Sequence, residues 1–382
     1  MSVTPRVVVV GGINMDIQGR SAAVFRPGDS NPGASSMSPG GVGRNIAENL
    51  VRLGLDVELL TVLGGDTLSR ELEASCDRLG IGLSAALRLP GETASQYICL
   101  LDADGSLLGA VAAMDGFDLL GPRVLAERAG LLDDAALIVV DANIPASAIG
   151  WLAERYGDRT RSGGRPALVL DTVSAAKAAR AKPFLGSFAF AKPNRAEASV
   201  LAGLDIPASA AAGPAAQAGP AAATGARAVA EAGLGAVDTD GAEAKLGTTD
   251  APLGAADPRA LAGRLRSAGL REVFISLGEE GMYYEGLDPA GAERRGFVRR
   301  GFVRPPRPLP AGLEPVNVSG AGDAACAALA WGYLRGDPPE ERARRALAAA
   351  MATAASMLTV SPDLAPDRLI ELAKGVAHEP VP

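Results

Sequence analysis

The chain has 382 residues, 48% of them apolar and 21% charged, which is ample hydrocarbon for a sizeable core in one large α/β domain or two. A formal net charge of −7 argues against a nucleic-acid backbone or an anionic membrane surface as the main partner. The single histidine, His378, stands close to the C-terminus, so Ser-His-Asp, Cys-His and His-rich zinc chemistry are set aside, because each needs an imidazole near the centre of the fold.

Cys76, Cys99 and Cys326 are odd in number and widely spaced, and no disulfide framework or CxxC metal pair follows from them. Each is expected as a small core residue, and His378 as a solvated tail residue. The opening "MSVTPRVVVVGG" is too short in apolar residues for a signal segment or a span, and no later window reaches about 18 apolar residues without charges. A cytoplasmic protein is expected.

In chain order, "RVVVVGG" (6–12), "ALIVVDAN" (136–143), "PALVLDT" (166–172), "SFAFAKPN" (187–194) and "EVFISLG" (272–278) are continuous apolar runs ending in polar or glycine residues. Such runs predict parallel strands covered on both faces. Helical patterns, among them 43–54 and 67–79, lie between them. This alternation predicts a doubly wound, mainly parallel α/β sheet flanked by helices. Ligands of such sheets sit outside the carboxyl ends of the strands, which directs attention to Asn14, Asp16, Asn143, Asp171 and Asn194. Residues 15–39 and 91–115 break the alternation with shorter strands, including a hairpin around Asp104-Gly105, and predict a small β-sheet lid across the site. From Ala208 to Thr224 ten of seventeen residues are alanine, with Gly-Pro at 213–214 and 219–220. The stretch to about residue 257 is expected as a low-complexity insertion in one domain spanning 1–375.

Three constellations carry candidate chemistry. In "SGAGD", Ser319 to Asp323, glycine-rich amides enter a helix N-terminus, a ready anion site. Asp323 there is either a residue favoured by the helix dipole or a base beside an anion cradle. In "SPGGVGRN", Ser38 to Asn45, Gly40 and Gly41 form a turn that also lets a polyol approach the backbone, with Asn45 one helical turn on and Asp16 of "GGINMD" facing the same crevice. In "KPNRAEA", Lys192 to Ala198, Asn194 and Glu197 read equally as a helix capping box and as a pair serving nucleotide phosphates and Mg²⁺. The glycine-bracketed turn of "SLGEEGMYY" (276–284) suits a nucleotide lying across it. Walker A and protein-kinase signatures are absent from the sequence.

Taken in order, "GGINMD", "SPGGVGRNIAENLVRLG", "KPNRAEA" and "VNVSGAGDAACAAL" resemble the ribokinase-like (PfkB) carbohydrate kinase family over essentially the whole chain outside the insertion. With "DSNPG" (29–33) and "VVDANIP" (139–145), the likeness is closest to members that phosphorylate the 5′-hydroxyl of the C-nucleoside pseudouridine with ATP. The resemblance implies Asp323 as general base and the amides of Gly320, Ala321 and Gly322 as anion hole. It implies Asp16, Gly40, Gly41, Asn45 and Asn143 as substrate contacts, with Ser30, Asn31 and Thr93 of the lid region hydrogen-bonding the uracil ring. Asn194, Glu197, Ser276, Gly278 and Gly281 would serve ATP, and Glu197 would hold Mg²⁺ through water. A monovalent cation (K⁺) is also implied, although Asn317 stands where potassium-activated members often have Asp; Ser319 replaces the usual Thr of the TGAGD motif. A homodimer through the lid is implied as well. Two rival readings remain: a kinase for ribose, adenosine, inosine or another ribosyl compound, and a catalytically silent nucleoside-binding protein. Retention of Asp323, the glycines and Glu197 argues against the second.

Overall fold

A computed structural model describes residues 4–204, 256–287 and 298–381. The expected insertion at about 208–257 lies, apart from its last two residues, outside the described residues. The strands are, in chain order, β1 (Arg6–Val10), β2 (Asn14–Ser21), β3 (Gly33–Gly40), β4 (Asp56–Leu60), β5 (Val62–Leu63), β6 (Leu87–Arg88), β7 (Gln96–Leu101) and β8 (Leu107–Ala113). They continue with β9 (Leu137–Asp141), β10 (Ala167–Asp171), β11 (Phe190–Ala191), β12 (Glu272–Ser276), β13 (Met282–Leu287), β14 (Val298–Arg304) and β15 (Ala377–Pro380).

Nine strands form one sheet in the order β15-β14-β13-β12-β11-β10-β9-β1-β4. The block from β12 to β4 is parallel, and β13, β14 and β15 add antiparallel strands at one side. The valine run explains itself in this setting. Val7 and Val9 enter one hydrophobic layer with Ile46, Leu50 and the alanines of 324–330; Val8 and Val10 enter the other with Ile149, Leu152 and Leu265. A strand whose side chains point alternately into two cores has no polar face, so the run is unbroken.

The lid is a separate sheet, β3-β2-β7-β8, and β7–β8 is the hairpin expected around Asp104-Gly105, closed by a turn with Gly105 at φ 88°. The helix Thr67–Leu79 has the predicted bounds, because Asp66 caps it through the Ser69 amide and Gly80 ends it in the left-handed region. Two expectations need correction. The strand at 187–194 shortens to Phe190–Ala191, since Pro193 and Asn194 already turn the chain into the next helix. His378, expected as a solvated tail residue, is exposed but lies in β15, which pairs with β14, and it shares a 2.6 Å hydrogen bond with the Tyr284 hydroxyl. Among the described residues no helix is long and apolar enough to cross a membrane.

Candidate active site

β1 and the turn Gly11–Ile13 deliver the chain into β2, whose Asp16 faces the carboxyl ends of the large sheet. Asn14 Nδ2 donates to Asp16 Oδ1 at 2.6 Å. Burial holds the Asp16 carboxyl above the usual carboxylate range, against the pull of Asn14 and the Arg44 guanidinium. β3 returns beside β2 and ends at Gly40, where a Cβ would stand 2.0 Å from Asp16 Oδ2. Gly41, at φ 101°, would bring a Cβ within 2.6 Å of the Gly12 carbonyl oxygen. Both glycines are therefore required by close approach, and they open the helix Val42–Arg52 toward the cleft.

On that helix Asn45 is fixed at both ends of its amide. Its Oδ1 accepts from Arg44 at 3.2 Å, and its Nδ2 donates to Asp323 Oδ2 at 2.9 Å. Arg44 is itself paired with Glu48 at 2.7 Å, both side chains being buried. The Asn45–Asp323 bond joins residues 278 positions apart in sequence and brings two expected motifs into one cleft.

Asp323 occupies the first turn of the helix Ala321–Leu334, one position past Gly322. Gly320 caps this helix at φ 79°, and a Cβ there would fall 1.8 Å from the Thr359 carbonyl oxygen. Burial pushes the Asp323 carboxyl up to about 7; nearby Asp171 adds to the rise, while Asn45 and Lys192 oppose it. The expected three-amide anion hole is modified. Ala321 N–H donates to the Val318 carbonyl at 3.3 Å, a bond formed because the left-handed Gly320 curls the chain back over 318. Among the described residues nothing accepts from the amides of Gly320 and Gly322.

Asn143 sits just past β9 with its amide spanned: Nδ2 donates to Asp141 Oδ1 at 2.7 Å, and Oδ1 accepts from Lys177. Asp141 also accepts from the Gly12 amide at 2.8 Å, and burial lifts its carboxyl to about 6. Asp141 and Lys177 were not anticipated; they lie in an apolar run and an alanine-rich helix, where local pattern carries no signal of a site.

The Asn194–Glu197 pair adopts its capping-box form. Asn194 Oδ1 accepts from the Glu197 amide at 2.9 Å, and Glu197 Oε2 accepts from the Asn194 amide at 2.9 Å and the Thr172 hydroxyl at 2.6 Å. Glu197 Oε1 accepts from Asn194 Nδ2 at 2.8 Å, so the carboxylate is turned inward and only 4% exposed. The neighbouring nucleotide turn is brought alongside: Ser276 donates its amide to the Pro193 carbonyl at 2.9 Å, and Gly278 and Gly281 have φ of 62° and 101°. Arg195 ties Glu280 of that turn at 2.9 Å. Among the described residues no group of three or more His, Cys, Asp or Glu is arranged to hold a metal ion.

Of the lid residues expected to meet the nucleobase, Ser30 and Asn31 are placed away from Asp16. Ser30 and Asn31 lie in the loop beyond the far end of β2, about 17 Å along the strand from Asp16. Asn31 is committed to that loop, accepting from the Arg26 amide at 2.8 Å and donating to the carbonyls of Arg26 and Asp29. The reason is the length of the β2–β3 ribbon, paired continuously from Asn14↔Gly40 to Ser21↔Gly33. Thr93 is exposed at the foot of the lid, against Gly64. By register the residues sharing the Asp16 face are Gln18, Ser36, Ser38, Tyr97 and Cys99. Asn317 spans two loops, its Oδ1 accepting from the Ser319 amide and its Nδ2 donating to the Met357 carbonyl, and it offers no carboxylate to a K⁺ ion. These loops expose Val316, Val318, Met357 and Leu358 beside the cradle, an apolar surface that went unread because the residues lie in short polar-flanked segments.

The sequence pattern described as pfkB family carbohydrate kinase matches residues 4–232 and 240–366. Pseudouridine kinase of Escherichia coli (strain K12) is 28% identical over 368 residues, covering 96% of each chain. An uncharacterised sugar kinase of the same organism is 36% identical over 203 residues, 53% of this chain and 54% of that protein. Arabidopsis thaliana ribokinase, solved with ribose and ATP, superposes with a TM-score of 0.67 at 18% identity, covering 97% of this chain and 99% of that one.

Proposed function

The chain belongs to the pfkB family of carbohydrate kinases, and from that premise we propose that it transfers the γ-phosphoryl group of ATP to the 5′-hydroxyl of pseudouridine. It is a sugar or nucleoside kinase, a phosphotransferase with an alcohol acceptor. The observation that supports the transfer chemistry is the 2.9 Å contact of Asn45 with Asp323, which joins the Asp16–Gly40–Gly41 crevice to the N-terminus of the Ala321–Leu334 helix; the choice of pseudouridine is supported by the relative that is 28% identical over 96% of each chain.

A furanose fits that crevice with two vicinal hydroxyls donating to Asp16 and a third polar contact at Asn45. Its 5′-hydroxyl then reaches Asp323, which takes the proton as the oxygen attacks phosphorus. A carboxyl lifted to about 7 is well matched to this work near neutrality, since it is a stronger base than an ordinary aspartate yet still ionised in useful fraction. The amides of Gly320 and Gly322, with Ala321 exchanging its weak carbonyl partner, steady the charge on the transferred group. Asn194, Ser276, Gly278 and Gly281 border the nucleotide, and the exposed Val316, Val318, Met357 and Leu358 suit its adenine. Mg²⁺ would be held by nucleotide phosphates and waters, and Glu197, whose oxygens accept from Asn194 and Thr172, would reach it only through water. Bound there, it would neutralise phosphate charge. Asn143, beside Gly12 and bonded to Asp141 and Lys177, adds a further polar group for the acceptor. The lid pairs with that of a second copy to form a homodimer.

ADP release measured with pseudouridine, uridine, ribose, adenosine and inosine tests the substrate. Pseudouridine is expected to show the highest kcat/KM; faster turnover of ribose or of another nucleoside would replace the narrow reading with that one.

A further inference from the structure

Lys192 touches neither substrate in the arrangement above, yet it is one of the most deeply placed charges in the protein. It follows β11 and is 5% exposed. Its Nζ lies 3.7 Å from Asp171 Oδ2 and 3.4 Å from where a Cβ on Gly322 would stand. The ammonium is therefore wedged between the end of β10 and the first turn of the Ala321–Leu334 helix, under the anion cradle. A simple ion pair would close to ordinary hydrogen-bond distance. Here it does not, and Asp171 Oδ2 is buried with no hydrogen-bond partner among the described residues. Asp171 Oδ1 is engaged, accepting from the amide of Val173, a non-glycine residue held at φ 63°. A buried cation that stands off from its nearest carboxylate is acting on more than one.

The charged groups around Asp323 show which. From the helix Val42–Arg52 come Arg44 and Glu48, which neutralise each other. β9 contributes Asp141, β10 contributes Asp171, and β11 leads into Lys192. The Asp323 helix itself adds the buried thiol of Cys326, raised by burial and by Asp171. Lys177 is drawn to Asn143 and Asp141, and Glu197 is enclosed in its capping box. Asp171, Glu197 and Asp323 thus act together on the Lys192 ammonium; the Glu197 carboxylate is already held by Asn194 and Thr172, which leaves Asp171 and Asp323 as the two that depend on this cation.

We propose that Lys192 is a positioning residue that keeps Asp323 ionised, its ammonium serving as the shared counter-charge of Asp171 and Asp323 and so setting the pH at which phosphoryl transfer begins. The inference rests on Asp323 being the base. The signs are fixed by charge. Removing the cation makes Asp323 hold its proton more tightly and moves the acid limb of the kcat/KM profile upward. Removing the Asp171 charge moves it downward.

The test is the pH profile of kcat/KM for pseudouridine, or for ribose if that is the better acceptor, in the full-length enzyme and in Lys192→Met, Lys192→Arg and Asp171→Asn. Lys192→Met is expected to shift the acid limb up by about one pH unit or more, so that a loss of about tenfold at pH 7 is recovered by pH 9. Lys192→Arg should keep the limb near the wild-type position, and Asp171→Asn should move it down. A Lys192→Met profile lowered evenly at every pH, or unshifted, overturns the proposal. Should Lys192→Met fail to fold, the comparison of Asp171→Asn with Asp171→Asn/Lys192→Met reports the same quantity: an upward shift supports the proposal and coincident limbs overturn it. Asp323→Asn is the separate control, since retained turnover there rejects Asp323 as base whatever Lys192 does.

Discussion

At the scale of single residues, Asp323, the proposed base, stands where catalysis and stability would pull apart. A helix N-terminus favours its charge, but complete burial and Asp171 disfavour it more, and the balance leaves the carboxyl at about 7 against an unfolded value of 3.8. Between those two values the native chain keeps a proton that the unfolded chain gives up, so stability falls as pH rises through this window. Asparagine at 323 would remove that penalty while still accepting from Asn45. Asp323→Asn is therefore expected to lower kcat by about 10²–10⁴-fold, with nucleoside affinity by calorimetry little changed. By linkage the same variant should gain up to about 4 kcal/mol of stability over wild type at pH 8 and less than half of that at pH 5. Thermal melts at both pH values check the second half, and a variant less stable than wild type at pH 8 would contradict the burial argument.

At the scale of elements, the site depends on two strands meeting without side chains between them. Gly40, at the end of β3, leaves the space into which Asp16 of β2 projects, and an added methyl would lie 2.0 Å from Asp16 Oδ2. Gly40→Ala should displace that carboxylate and lower kcat/KM for the nucleoside by about 10²-fold while leaving the KM for ATP within a few-fold; steady-state kinetics with each substrate varied separates the two. An equal rise in both KM values would point to general distortion. Elements of this kind were legible where chemistry is local. The buried parallel strands announced themselves as unbroken apolar runs, the helix at 67–79 by its caps, and Asp16, Gly40, Gly41, Asn45 and Asp323 by glycine turns entering helices. β3, "GASSMSPG", was legible only as part of a lid region, since Gly40 alone of its residues is buried and nothing enforces alternation. β14 and β15 were hidden by arginines and a proline on an outer edge of the sheet. The Asp171–Lys192 and Asn143–Lys177 contacts were not legible, because they arise from strand ends that become neighbours only when the sheet assembles.

At the scale of the whole molecule, the lid has two faces of opposite character. Ser38, Asp16, Tyr97 and Ala112 run across all four strands on the cleft side. On the other side Met37, Ile17, Ile98 and Val111 form a cross-strand row, with Met37 64%, Ile98 38% and Val111 63% exposed and Leu100 48% exposed one row out. Ile17 is partly buried against the core, but the other three apolar side chains of the row stand in water and suit an interaction surface, and the unpaired edges of β3 and β8 flank it. The surface matches itself: two copies related by a two-fold axis can bury the row against its equivalent without any new chemistry. Met37→Asp combined with Val111→Asp is expected to convert a dimer to a monomer in sedimentation velocity at micromolar concentration. Because the same strands hold Asp16, the monomer should also show a raised nucleoside KM with little change for ATP. A wild-type protein that sediments as a monomer at that concentration removes the dimer from the reading, and leaves the lid to close over the cleft as a single sheet.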